Sequence, residues 1–208
     1  MKNKEFLDEL DKIIPEPKCE LEYKTPYELL VAVILSAQCT DKRVVMVTRE
    51  LFKEYDTPEK MLNLTLEELE QKIHSCGFYH NKAKNILSMS KALIDNYNGQ
   101  VPDDIEKLQK LSGVGRKTAN VVYSEAFKGN AIAVDTHVLR VSNRLGFVKT
   151  NNPYVCEKAL MKNFEQNTWG KLHLQLVLFG RYVCKSQKPS CNKCPFTNRC
   201  DYYKYNIK

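Results

Sequence analysis

Apolar positions recur along the chain at helical spacing, and strand-like alternation is confined to one stretch. Thr25-Pro26-Tyr27-Glu28 joins an N-cap, a proline at the first helical position and a capping-box glutamate. The segment it opens, Leu29–Ala37, is apolar on every side and predicts a central buried helix. Thr40 or Asp41 caps the next helix, over Lys42–Tyr55. Thr57-Pro58 opens a short one, Thr65–Glu68 is another capping box, and Gly77 closes the helix that this box begins. Asn81–Tyr97 carries Ile86, Leu87, Leu93 and Ile94 at helical spacing and stops at Gly99. Asp135 caps Thr136–Leu145, which ends at Gly146, and Asn152-Pro153 starts another helix. Leu172, Leu174, Leu176 and Leu178 alternate as strand residues do. No hairpin signal or β-rich run elsewhere offers such a strand a partner, so Leu172–Phe179 reads as helix. The expected class is all-α.

A length of 208 residues allows one large domain or two small ones. Thirty-two Lys and Arg against 25 Asp and Glu leave a net charge of +7. That favours a polyanionic partner, although a plain basic protein has the same balance. No stretch is long and apolar enough to span a membrane, and Met1-Lys-Asn-Lys-Glu-Phe6 lacks a signal-peptide core. A cytoplasmic protein with no membrane partner is expected. Its eight cysteines are then not a disulfide framework.

The chemistry centres on Leu111–Val122. Ile105–Leu111 and Lys117–Phe127 read as two helices, with Gly113, Val114 and Gly115 between them. Glycine tolerates positive φ and admits foreign atoms close to its backbone. The two glycines therefore make a tight helix–hairpin–helix turn, with Val114 inward and backbone N–H groups outward at a helix start, where an anion is favoured. Lys117 projects from that helix's first turn. A phosphate-binding loop needs glycine where Arg116 stands. A dinucleotide fingerprint needs a preceding strand and a small residue where Thr118 stands. The plain alternative is an αα corner with a solvated lysine.

Two further constellations accompany the hairpin. Cys184, Cys191, Cys194 and Cys200 fall within seventeen residues, a density that points to a metal or cluster. Spacing alone leaves structural zinc and a [4Fe–4S] cluster evenly matched. Cys19, Cys39, Cys76 and Cys156 are scattered and read as core residues. Asp135 ends the apolar run Ala131–Val134, and alone it reads as a helix cap.

Leu111–Val122, Val134-Asp-Thr-His137, the four-cysteine spacing and Leu35–Asp41 together resemble the endonuclease III group of DNA glycosylases, in the helix–hairpin–helix superfamily. The resemblance covers essentially the whole chain. It implies a six-helix barrel over about residues 20–131, and a helical domain built from 1–19 with 132–208 that holds a [4Fe–4S] cluster on residues 184–200. It implies a monomer that binds double-stranded DNA containing damaged bases or abasic sites. Lys117 is then the nucleophile and Asp135 its carboxylate partner. Burial, the helix N-terminus and neighbouring Arg116 are expected to help the amine lose its proton. Gln38 corresponds to a residue that probes the gap left by a flipped base. Phe78 stands where the family carries a leucine wedge, and apolar wedges of either type part bases. Lys188 matches a loop lysine on DNA phosphates, while Ser190 replaces a further basic residue there. Gly113, Gly115, Arg116, His137, Arg140 and Arg144 are expected to face the DNA.

The implied function is a bifunctional glycosylase and AP lyase acting on oxidised or damaged pyrimidines. One alternative is the mismatch adenine glycosylase, which lacks a lysine at the position of Lys117 and carries a further C-terminal domain. The other is a DNA-binding module in which the hairpin only holds phosphates.

Overall fold

Side-chain caps fix most helix starts in the computed structural model, which describes residues 2–206. In chain order the helices are α1 (Lys2–Ile13), α2 (Pro26–Ser36), α3 (Asp41–Leu51), α4 (Pro58–Met61), α5 (Leu66–Ile73), α6 (Tyr79–Tyr97), α7 (Ile105–Leu108), α8 (Arg116–Ala126), α9 (Thr136–Arg144), α10 (Pro153–Asn163), α11 (Trp169–Tyr182) and α12 (Asp201–Asn206). With two 3₁₀ turns they are the only regular elements among the described residues, so the all-α expectation holds. No helix is long and apolar enough to cross a membrane among those residues.

Thr25, Thr40, Thr57, Thr65, Asp135 and Asn152 all accept from backbone N–H groups of the turn that follows. Thr65 and Glu68 complete a capping box. Glu28 does not, because its carboxylate accepts from the Lys24 N–H at 2.5 Å, one residue before the expected partner. Helix α5 stops at Ile73 rather than at Gly77, and α6 starts two residues before Asn81.

Two compact units divide the chain, Cys19–Gly129 and Met1–Lys18 with Asn130–Lys208. In the first, α2 is the centre: Tyr27 to Leu35 are all buried, and α3, α6 and α8 pack on it. A helix apolar all round has no solvent face to keep, which is why it becomes the core. The Tyr27 hydroxyl is satisfied there by Ser90 at 2.6 Å. Lys82 lies on the same face of α6 as Ile86, Met89 and Leu93 and is buried with them. Its ammonium donates to the Leu35 and Ala37 carbonyls at 2.8 and 2.7 Å. Those carbonyls belong to the C-terminal end of α2, where acceptors lack helical partners and a cation is favoured.

In the second unit, Phe6 and Leu10 of α1 join Val138 and Val141 of α9, Leu160 of α10, and Leu172, Leu176 and Phe179 of α11. The leucine alternation in α11 resolves into two helical rows, with Leu172 and Leu176 buried and Leu174 and Leu178 half-buried. Phe6 meets Phe147, Phe164 and Phe196 with ring centroids 4.7–5.8 Å apart. Gln175 of α11 donates to Asp11 and to the Ile14 carbonyl, holding the N-terminal segment in the C-terminal half. Gly180 sets the approach of α11 to α9, since a Cβ on it would lie 2.8 Å from the His137 Cβ.

Candidate functional site

The hairpin lies in the Cys19–Gly129 unit. Gly113 has φ +77°, and a Cβ there would meet the Asn85 side chain at 2.9 Å, so both conformation and space demand glycine. Val114 is tucked in at 6% exposure. Gly115 is the N-cap of α8, and a Cβ there would meet nothing within 4 Å. The fold itself does not require glycine at Gly115; the bare backbone leaves room for an outside group. No side chain caps α8, so its first-turn N–H groups point at that open space. Lys117 projects from this turn and is exposed. The burial expected at Lys117 is therefore not found in this structure.

Two other expected contact residues sit in the same unit on adjacent turns. Gln38 lies just past α2 and Phe78 just ahead of α6; both are exposed, Phe78 at 64%. The Gln38 carbonyl lies where a Cβ on Gly77 would come within 3.3 Å of it. Gln38 has φ 52°, Phe78 has φ 58°, and Lys188 in the other unit has φ 47°. Non-glycine residues seldom adopt this left-handed conformation, and strain of this kind clusters at functional positions. Three of the five non-glycine residues with positive φ among the described residues are thus residues that sequence reasoning had assigned to DNA.

In the unit formed by the chain ends, Asp135 is half-buried at the N-terminus of α9, its Oδ1 accepting from the Val138 N–H at 2.8 Å. One carboxylate oxygen is thereby held by the helix. His137, two residues on, has its pKa pushed down by burial, which nearby Asp135 opposes and Arg140 and Arg181 reinforce. Its Nδ1 lies 3.2 Å from the Arg140 Nη2, and with arginine as the donor the ring is a neutral acceptor.

Arg140 and Arg144 make contacts that the sequence did not suggest. Arg140 donates from Nε to the Cys184 carbonyl at 3.1 Å and from Nη2 to the Gly180 carbonyl at 2.7 Å. Arg144 donates to the Lys185 and Ser186 carbonyls at 2.7 and 3.0 Å and stacks over the Tyr202 ring at 4.0 Å. Two arginines one turn apart on α9 thus clasp the segment that begins the cysteine loop. Sequence reasoning missed this role because the acceptors are backbone carbonyls about forty residues away.

All four C-terminal cysteines line one cavity, with Leu145, Phe179 and Val183 as apolar walls. The Arg144 Nη1 lies 3.5 Å from the Cys184 Sγ, and the Tyr203 N–H lies 3.4 Å from the Cys200 Sγ. Cationic and N–H donors aimed at sulfur suit thiolates held by a positively charged group. Among the described residues no three His, Cys, Asp or Glu side chains converge closely enough for a single metal ion. The thiols surround a space rather than a point. Lys188, in the loop between Cys184 and Cys191, is exposed.

Comparison with known proteins bears on the same features. Residues 31–166 match the model of the HhH-GPD superfamily base excision DNA repair proteins, a span that includes Gln38, Phe78, the hairpin and Asp135. Endonuclease III of Bacillus subtilis (strain 168) is 51% identical over 202 residues, 96% of this chain and 92% of that protein. A trapped endonuclease III–DNA covalent intermediate, in an estranged-adenine complex, superposes with a TM-score of 0.95 at 50% identity, over 100% of this chain and 98% of the other. A non-covalent endonuclease III–DNA complex gives 0.93 at 51% identity, over 98% and 95%. With the hairpin, the carboxylate-capped helix and the cysteine loop all falling inside that alignment, this chain belongs to the endonuclease III family of the HhH-GPD superfamily.

Proposed function

We propose that this chain is a bifunctional DNA glycosylase and AP lyase of base excision repair, acting on duplex DNA that carries oxidised or damaged pyrimidines or abasic sites. The observation that carries the reading is the hairpin: an open Gly115, an uncapped helix start and an exposed Lys117 in its first turn. A hairpin serving only to hold phosphates has no need of a lysine amine free to react. The similar B. subtilis protein bears the name endonuclease III, and a similar solved structure is of a covalent protein–DNA intermediate.

A base inside a duplex is out of reach, so the damaged nucleotide is first turned out of the stack. Phe78 parts the neighbouring bases and Gln38 fills the gap. Backbone N–H groups at Gly113, Gly115 and Arg116 hold the phosphates, joined by Lys188. The Lys117 amine, once neutral, attacks C1′ of the sugar, and the C1′–N bond to the base breaks. Asp135 takes the proton that Lys117 sheds and stabilises positive charge on the sugar. The resulting Schiff base permits β-elimination, which breaks the strand on the 3′ side of the lesion. Arg140 also holds the start of the cysteine loop, beside the DNA-facing role expected of it and of His137.

Cys184, Cys191, Cys194 and Cys200 hold a [4Fe–4S] cluster. Four thiols lining one cavity, with donors on two of the sulfurs, support this assignment. A bound cluster would be held by the chain just after α11 at Cys184, by the loop at Cys191 and Cys194 and by Cys200 ahead of α12, and would lend that segment stability rather than break bonds. A mismatch adenine glycosylase does not need the amine of Lys117, so the lysine tells against that alternative.

The deciding experiment is borohydride trapping. Reductant added during turnover on an abasic-site duplex fixes the wild-type imine as a covalent adduct whose link maps to Lys117. Lys117→Gln retains DNA binding and loses both trapping and nicking. Efficient trapping by the glutamine variant, or none by the wild type on any lesion or abasic duplex, defeats the proposal.

A further inference from the structure

Two thiols outside the cysteine loop meet inside the Cys19–Gly129 unit. Cys39 follows Gln38 and is half-buried; Cys76 precedes Gly77 and is fully buried, and the Cys39 thiol is near enough to add to the upward push that burial gives the Cys76 pKa. The backbone explains the meeting. Gly77 lies so near the Gln38 carbonyl that a Cβ on it would stand 3.3 Å from the oxygen. The turns that present Gln38 and Phe78 therefore run side by side, and the residues flanking that contact oppose each other. Lys82, seated on the Leu35 and Ala37 carbonyls, places positive charge near both thiols, and Arg43 adds to it at Cys76. Cations beside a thiol favour its reactive thiolate. At Cys76 burial outweighs them and pushes the thiol up to about 11, so it keeps its proton until a partner sulfur is activated. Cys39 is the sulfur that a solvent-borne oxidant reaches.

We infer that Cys39 and Cys76 form a redox-responsive dithiol, which peroxide converts to a disulfide that ties the Gln38 turn to the Phe78 turn. The Cys39 sulfur attacks one oxygen of hydrogen peroxide and the O–O bond breaks, giving a sulfenic acid and one water. The Cys76 sulfur then attacks the Cys39 sulfur, the S–O bond breaks, and a second water leaves as the S–S bond forms. Two thiols lose two electrons and two protons, and one peroxide accepts them. Lys82 stabilises the Cys76 thiolate in the second step. Cross-linking removes the independent motion of the two tips that carry Gln38 and Phe78. The consequence for DNA rests on the function proposed above, whereas the disulfide itself does not.

The test uses purified full-length holoprotein, treated with hydrogen peroxide or left reduced, then alkylated and peptide-mapped. Wild type yields a peptide linked through Cys39 and Cys76. Oxidised wild type binds a duplex carrying a reduced abasic-site analogue about five-fold or more weakly than the reduced form, a change typical of coupled sites, and dithiothreitol reverses it. Cys39→Ser and Cys76→Ser nick abasic duplex as reduced wild type does and lose the peroxide effect. Damage to the C-terminal cysteines would appear in both variants as well, which separates it from the pair. Sulfinic acid on Cys39 with Cys76 still alkylated, and no linked peptide, overturns the dithiol. A linked peptide with unchanged binding overturns the coupling to DNA. Failure of reduced wild type to nick abasic duplex counts against the proposed function and leaves the linked peptide standing.

Discussion

Arg140→Met separates a structural clasp from a DNA contact. Methionine keeps much of the apolar stem and deletes the guanidinium. The loss includes the donations to the Cys184 carbonyl at 3.1 Å and the Gly180 carbonyl at 2.7 Å, beside the longer contact with His137 Nδ1. A hydrogen bond from a charged group contributes roughly 1.5–3 kcal/mol net. The side chain is only half-buried, and removing it recovers the cost of desolvating the cation, so the low end applies to each bond. The expected destabilisation is about 2–3 kcal/mol for the pair. With a urea m-value of about 2 kcal/mol/M, that lowers the unfolding midpoint by roughly 1 M. Far-UV circular dichroism in a urea series measures it. Binding to undamaged duplex, followed as log K against log salt, keeps its wild-type slope if the clasp is the guanidinium's whole role, because no phosphate contact has then gone. An unchanged midpoint together with a slope shallower by about 0.9 would refute the clasp and return Arg140 to the DNA.

Three further variants extend the reasoning. Asp135→Asn keeps an oxygen for the Val138 N–H, so the thermal midpoint stays close to wild type while base excision falls by orders of magnitude; normal excision with early melting would leave Asp135 as a cap alone. Lys188→Ala shallows the salt slope by about 0.9, one phosphate contact, and an unaltered slope removes it from the interface. Natively expressed protein contains iron and sulfide with little zinc, and Cys194→Ser harms the unit formed by the chain ends more than it harms the chemistry at Lys117; stoichiometric zinc without iron would contradict the cluster.

Much of this architecture is written locally. Caps at Thr25, Thr65, Asp135 and Asn152 are read within four residues, and the hairpin follows from two glycines around one valine. The buried α2 announces itself by having no polar face. What the sequence hides is the partner at long range. Arg140 and Arg144 look like a charged helix face until the carbonyls after α11 are seen beside them. Cys39 and Cys76 read as unrelated core residues because nothing in either neighbourhood reveals that their turns adjoin. Burial of Lys117 was expected from its chemistry, and the open, uncapped start of α8 leaves it exposed instead. Lys82 was legible in principle: it falls on the helical row of Ile86, Met89 and Leu93, and a lysine on an apolar row signals a buried acceptor.

The left-handed backbone at Gln38, Phe78 and Lys188 also sets a direction for sequence drift. A non-glycine residue in that conformation costs roughly 1–2 kcal/mol, which glycine avoids. Any population or library selected only for resistance to heat will enrich glycine at these three positions. The winners will be sturdier proteins that have surrendered the side chains proposed above to meet the damaged duplex. Side chains that persist there across a lineage therefore record selection for something other than stability, and the proposed contacts with DNA say what.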